Sequence, residues 1–138
     1  MGIKQISVFL ENNTGRLAEV TGCLADAGIN LRAISIADTA DFGILRIIVN
    51  KQEEALAALT AAGFTTREND VLAVEIGDVP GSLAKLMKLF RDANVNIEYL
   101  YASLEGREGR AAVIFKLSNF EHGLEIIKKH GITLLERF

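Results

Sequence analysis

The chain has 138 residues, 49% of them apolar, which is ample for a buried core. Its net charge of −3 argues against nucleic acid or an anionic membrane as the main partner, because both call for a positive footprint. Cys23 is the only cysteine, so no internal disulfide is possible and a reducing compartment is expected. No apolar stretch approaches the length of a membrane span, and Met1-Gly2-Ile3-Lys4-Gln5 has no apolar leader, so a soluble cytoplasmic protein is expected.

In chain order, Ile6–Leu10 is short, apolar and partly β-branched and reads as a strand. After the polar turn Glu11-Asn12-Asn13-Thr14-Gly15, the residues Leu17, Val20, Leu24 and Ala27 fall at three- and four-residue intervals on one helical face. Gly28 supplies a helix stop. Strands are expected over Ile29–Ile36 and Gly43–Val49, with a turn around Asp38–Asp41. Asn50-Lys51-Gln52-Glu53 has the pattern of a capping box, opening a helix that carries Leu56 and Leu59 and ends at Gly63. Phe64–Arg67 is a short closing strand, followed by a tight boundary near Glu68-Asn69-Asp70.

The same order then recurs. Val71–Ile76 is a strand, Gly77-Asp78-Val79-Pro80-Gly81 a turn, and Leu83, Leu86, Met87, Phe90 and Ala93 form a helical face that stops at Asn94. Strands Val95–Leu104 and Gly109–Leu117 flank a turn at Glu105–Glu108. Ser118-Asn119-Phe120-Glu121 repeats the capping box, the helix with Leu124 and Ile127 ends at Gly131, and Ile132–Arg137 closes the unit. The expected fold is α+β: two tandem ferredoxin-like βαββαβ units, residues 1–69 and 70–138, each an antiparallel sheet with its helices on one face.

The two halves also match residue by residue. An ungapped shift of 66 aligns Ser7/Ala73 through Asn50/Lys116 with nine identities in 44 pairs, namely Val8, Gly15, Leu17, Ala18, Asp26, Ala27, Asn30, Gly43 and Ile48 with their partners. Ordinary composition would give about three. Gly63 and Gly131 lie 68 apart, which implies a two-residue insertion near the last helix of the second unit. The repeat retains a glycine at a helix entrance and an asparagine at a strand entrance, neither of which a core requires.

The first helical turn leaves backbone amides unpaired at the positive end of the helix dipole, and glycine beside it lets a ligand approach. Such a turn can receive a carboxylate, while Asn12 or Asp78 can face an ammonium group. Helix capping and turn formation are the alternative role for these residues. For Asn30 and Asn96 the alternative is a hydrogen bond from loop to strand that holds the helix end.

The run Asp78-Val79-Pro80-Gly81-Ser82-Leu83, with Asn94-Val95-Asn96-Ile97 after it, resembles the ACT domain, a small-molecule-binding regulatory module of amino-acid-metabolism enzymes. Asn12-Asn13-Thr14-Gly15-Arg16-Leu17 with Gly28-Ile29-Asn30-Leu31 is similar to it more loosely, with Asn12 for aspartate and Thr14 for proline. The resemblance implies paired units with free amino-acid ligands at their interface. One site would join Asn12–Leu17 to the strand beginning at Asn96, and the other Asp78–Leu83 to the strand beginning at Asn30. It further implies a non-catalytic sensor without cofactor that acts on a regulated enzyme and forms a homodimer.

His122 and His130 lack neighbours at ligand spacing, so no metal is expected. Cys23 reads as a helix-packing residue, and Tyr99 and Tyr101 as core or dimer contacts. Two alternatives remain: an assembly protein whose units have lost their ligand, and an RNA-binding module of the same topology. The second is disfavoured because Gly43–Val49 has no aromatic residue for base stacking and Gly109–Phe115 has one.

Overall fold

The computed structural model describes residues 2–11, 13–38, 42–104 and 107–137. The elements are β1 (Ile3–Glu11), α1 (Arg16–Asp26), β2 (Leu31–Asp38), β3 (Phe42–Val49), α2 (Gln52–Ala61), β4 (Thr65–Gly77), α3 (Ser82–Asp92), β5 (Ile97–Ala102), β6 (Arg110–Leu117), α4 (Phe120–Lys129) and β7 (Thr133–Leu135). They form two compact units, Lys4–Asn69 and Asp70–Arg137, the second also taking in residues 2 and 3.

In the first unit β1 and β2 pair antiparallel with β3, and β4 lies beside β1. Alternation decides which face is buried: Ile6, Val8 and Leu10 of β1 and Leu45, Ile47 and Val49 of β3 meet Val20 and Leu24 of α1 and Ala55 and Leu59 of α2. In the second unit β4 runs between β6 and β7, and β5 pairs with β6, all antiparallel. Its core joins Leu72 and Val74 to Val113, Phe115 and Leu117 beneath Leu86, Phe90, Leu124 and Ile127. Phe90 meets Phe115 edge-on at 5.5 Å between ring centres. Each such side chain contributes about 1.5–3 kcal/mol by leaving water, so the repeated βαββαβ order forms because both halves carry the same buried stripe.

The expected boundary at Glu68-Asn69-Asp70 is not a turn. β4 is one strand of 13 residues, of which 65–69 belong to the first unit and 70–77 to the second. No glycine or proline interrupts it, so nothing diverts the extended backbone. Asn69 instead accepts hydrogen bonds from Ser7 Oγ at 2.9 Å and Gln5 Nε2 at 3.4 Å, giving partners to two buried polar side chains of β1. The last strand is also shorter than expected, three residues from Thr133 to Leu135.

The ungapped 66-residue register is corrected by the strand pairing. Leu31 and Ile97 open β2 and β5 and are 66 apart, but β3 and β6 begin at Phe42 and Arg110, 68 apart. Leu10 pairs with Gly43 where Ile76 pairs with Ala111, which fixes the larger offset. The two extra residues therefore lie between β5 and β6, not near α4, and the identities Gly43/Gly109 and Ile48/Ile114 are not structural equivalents. The expected turns at Asp38–Asp41 and Glu105–Glu108 lie in part outside the described residues.

The caps also shift by one residue. Lys51 is the N-cap of α2 and provides no side-chain cap, because Asn50 Oδ1 instead accepts the Asn30 N–H at 3.0 Å. Asn119, not Ser118, caps α4, accepting the His122 N–H at 3.1 Å. At the end of α3, Asn94 takes the left-handed backbone (φ 56°) expected of it.

Candidate functional site

The first helix of each unit starts on a glycine with the same unusual backbone: Gly15 has φ 89° and ψ −7°, Gly81 φ 91° and ψ −12°. A side chain is strained in that region, and among the described residues no atom outside the adjoining chain lies within 4 Å of where a Cβ would project from either glycine. The identity thus records a backbone conformation and an open approach, and has no packing cause. Neither glycine supplies a cap. In the second unit Ser82 N–H donates to the Val79 carbonyl at 3.3 Å, and the amides of Leu83 and Ala84, at the positive end of α3, have no acceptor among the described residues.

Around these glycines the side chains face outward. Asp78 and Pro80 are exposed, and Asp78 N–H donates to the Gly109 carbonyl at 3.0 Å, which ties the turn to the start of β6. Leu17 and Leu83, identical in the repeat, are 42% and 37% exposed, and Val79 is 63% exposed. Asn13 donates from its backbone N–H to the Glu11 carbonyl and from Nδ2 to Glu11 Oε2 at 3.1 Å; Thr14 is exposed beside it. Asn12 lies outside the described residues.

Asn30 and Asn96 occupy the far end of each unit from these turns, because a helix of 11 residues separates them, about 16 Å at 1.5 Å per residue. Both are exposed. The Asn30 carbonyl accepts the Asn50 N–H at 3.2 Å and the Asn30 N–H donates to Asn50 Oδ1 at 3.0 Å, and Asn96 Nδ2 donates to Ser118 Oγ at 2.8 Å while its carbonyl accepts the Ser118 N–H at 3.0 Å. Each latches the start of its strand to the residues before the next helix, directly before a bulge in β2 and β5. No single unit brings its turn and its asparagine together.

The sequence reading missed a charged cluster next to the second turn. Glu75, on β4 and 8% exposed, accepts from Arg107 Nε at 3.1 Å and from Arg107 Nη2, and from Arg110 Nε at 3.2 Å. Arg110 Nη2 also donates to the Glu75 carbonyl at 3.3 Å. The Arg107 hydrogen bond holds the Glu75 carboxyl below the usual carboxylate range, overcoming burial, which pushes it up; Arg110 adds to the lowering. The signal was an acid inside the apolar run Val71–Ile76, with arginines two strands later. A Cβ on Gly77 would lie 3.3 Å from Ser82 Oγ and 3.8 Å from Arg110 Nη1, so the turn, the α3 start and Arg110 surround one small space. It forms one end of a cleft of about 530 Å³ inside the second unit.

A family described as an ACT domain pair matches residues 1–137. The chain belongs to the ACT domain pair family. Among solved structures, this ACT pair is 41% identical to protein BT0572 from Bacteroides thetaiotaomicron, with a TM-score of 0.92 over 98% of this chain and 92% of that one. It also resembles the ligand-free regulatory subunit of aspartate kinase from Thermus thermophilus, at 23% identity and a TM-score of 0.67 over 93% and 91% of the two chains. The regulatory subunit of aspartate kinase from Thermus flavus has a TM-score of 0.64 at 22% identity over 94% and 92%. The likeness to these two subunits concerns the fold alone. No curated protein matches the ACT pair.

Proposed function

We propose that this ACT pair is a non-catalytic regulatory protein that binds a free amino acid and signals through a regulated enzyme or a second copy of itself. The observation that carries this reading is the exposure of what the repeat keeps: Gly15 and Gly81 hold an open left-handed turn, and Leu17 and Leu83 beside them are identical yet outside the core. Core packing explains Val8/Val74 but not these pairs. Regulatory subunits of aspartate kinase sharing the fold are consistent with the role.

In this reading the open amides of Leu83 and Ala84 receive the ligand carboxylate and Asp78 its ammonium group, with Asp78, Val79, Pro80, Gly81, Ser82 and Leu83 as the principal site. Asn12, Asn13, Thr14, Gly15, Arg16 and Leu17 form a second, weaker one, and Asn30 and Asn96 contribute from another unit. Micromolar binding requires about −8 kcal/mol, within reach of several charge-assisted hydrogen bonds at roughly 1.5–3 kcal/mol each. The protein acts in the cytoplasm as a homodimer, without metal or cofactor. A thermal-shift screen of the proteinogenic amino acids tests the reading: at least one raises the melting temperature of the intact protein, and Asp78→Ala removes the shift. No shift from any amino acid favours the alternative of an assembly protein without ligand, which the engagement of Asn96 by Ser118 supports.

A further inference from the structure

At the place in the first unit that corresponds to the cleft beside the second turn, two larger side chains are stacked on each other. Ser82 and Ile132 line the cleft. By the corrected register their equivalents are Arg16 and Phe64, and there the Arg16 guanidinium lies over the Phe64 ring, 4.7 Å from its centre, with Nη1 bonded to Glu19 Oε2 at 2.6 Å. The larger pair thus covers in the first unit what the smaller pair leaves open in the second. The cleft's volume of about 530 Å³ is within the range of small-molecule sites, roughly 300–1,000 Å³.

Charge differs in the same way. Lys85, Arg110 and His130 line the cleft, where the equivalent residues of the first unit are Glu19, Phe42 and Ala62. Lys85 makes no ion pair, and Arg110 Nη1 has no hydrogen-bond partner, among the described residues. His130 Nδ1 donates to the Ile126 carbonyl at 3.0 Å, which in the neutral ring leaves Nε2 an acceptor, so Lys85 and Arg110 are the groups that face a carboxylate. Glu75, the only carboxylate in the lining among the described residues, is already held by two arginines. Ile76, Leu86 and Leu89 provide an apolar floor.

We infer that this cleft is a binding site for a small carboxylate with an apolar tail, one per chain, and that Arg16 over Phe64 is a built-in plug that denies the first unit the same site. It requires no ammonium group on the ligand, although it shares Ser82 with the proposed amino-acid site. Calorimetric titration of the full chain with 4-methylpentanoate and with 4-methylpentylamine tests it. The carboxylate should saturate at one per chain and the amine should bind at least about tenfold more weakly, the worth of one charge-assisted bond. Ser82→Arg with Ile132→Phe, which copies the plug, and Lys85→Glu, on an exposed side chain, should each weaken the carboxylate at least about tenfold. Absence of saturable carboxylate binding, equal binding of the amine, or unchanged binding in folded Lys85→Glu overturns the inference. Carboxylate binding with no response to any proteinogenic amino acid would uphold the cleft and reject the amino-acid reading; the opposite pattern would do the reverse.

Discussion

The Arg16 guanidinium carbon stands 4.7 Å from the centre of the Phe64 ring, joining the first turn of α1 to the residue before β4 within one unit. Its side chain is 28% exposed, so the contact is partly desolvated. Arg16→Ser should therefore lower stability by about 0.5–1 kcal/mol, the worth of a cation–π contact with a modest ion pair. Urea unfolding checks this, and Arg16→Lys should recover only part of the loss, because an ammonium lacks the flat face that stacks on the ring.

Gly123 and Leu117 form a matched pair with Ala55 and Val49. A Cβ on Gly123 would clash with Leu117 Cδ1, whereas the first unit has alanine and the shorter valine at the equivalent positions. Gly123→Ala gains about 1 kcal/mol in helix propensity but over-packs a close contact at about 1–3 kcal/mol, so net destabilisation is expected. Leu117→Val in the same chain should relieve the clash, and a double-mutant cycle should give a coupling of about 1 kcal/mol or more. Additive effects would contradict the pairing.

Glu75 ties stability to acid pH. Its folded pKa is lowered, first by the Arg107 hydrogen bond, from an ordinary value of 4.5. Its contribution is complete above that value and is lost as pH falls through the lower folded one. Thermal melts from neutral pH downward should show the wild type losing stability below 4.5. Glu75→Gln should start less stable at neutral pH and show a shallower acid-side loss. Parallel curves would show that the arginines contribute nothing through this carboxylate.

Gly81 is held by its backbone. Because φ is 91° and no atom crowds the missing Cβ, Gly81→Val should cost about 1–3 kcal/mol through strain alone. Asn tolerates positive φ better, so Gly81→Asn should retain most of the stability. Equal losses in denaturant melts would mean that space, and not conformation, selects glycine here.

Much of the fold was legible because β and α periodicities differ and each core stripe appears twice: Ile6, Val8 and Leu10 correspond to Leu72, Val74 and Ile76. The displaced insertion was not legible for a related reason. A shift of two residues leaves every strand side chain on its original face, so apolar matching accepts Leu45/Ala111 as readily as the structural Leu45/Val113. Only the pairing of β3 and β6 with their neighbours decides. The α2 cap moved because Asn50 Oδ1 is taken by the Asn30 N–H, which local patterns do not reveal. The turns at Gly15 and Gly81 were readable from composition. The cleft was not, since it depends on Ser82 and Ile132 lining one space and on Arg110 beside Gly77, residues that come together only through the fold.

The central claim is that the turn from Asp78 to Leu83 binds a free amino acid. Calorimetric titration of the full chain with each proteinogenic amino acid, repeated on Asp78→Ala, tests it most directly. At least one amino acid should bind saturably and lose at least about tenfold in affinity in the variant, the worth of one charge-assisted bond. Binding by none of them to the folded protein, or unchanged binding to folded Asp78→Ala, would contradict it.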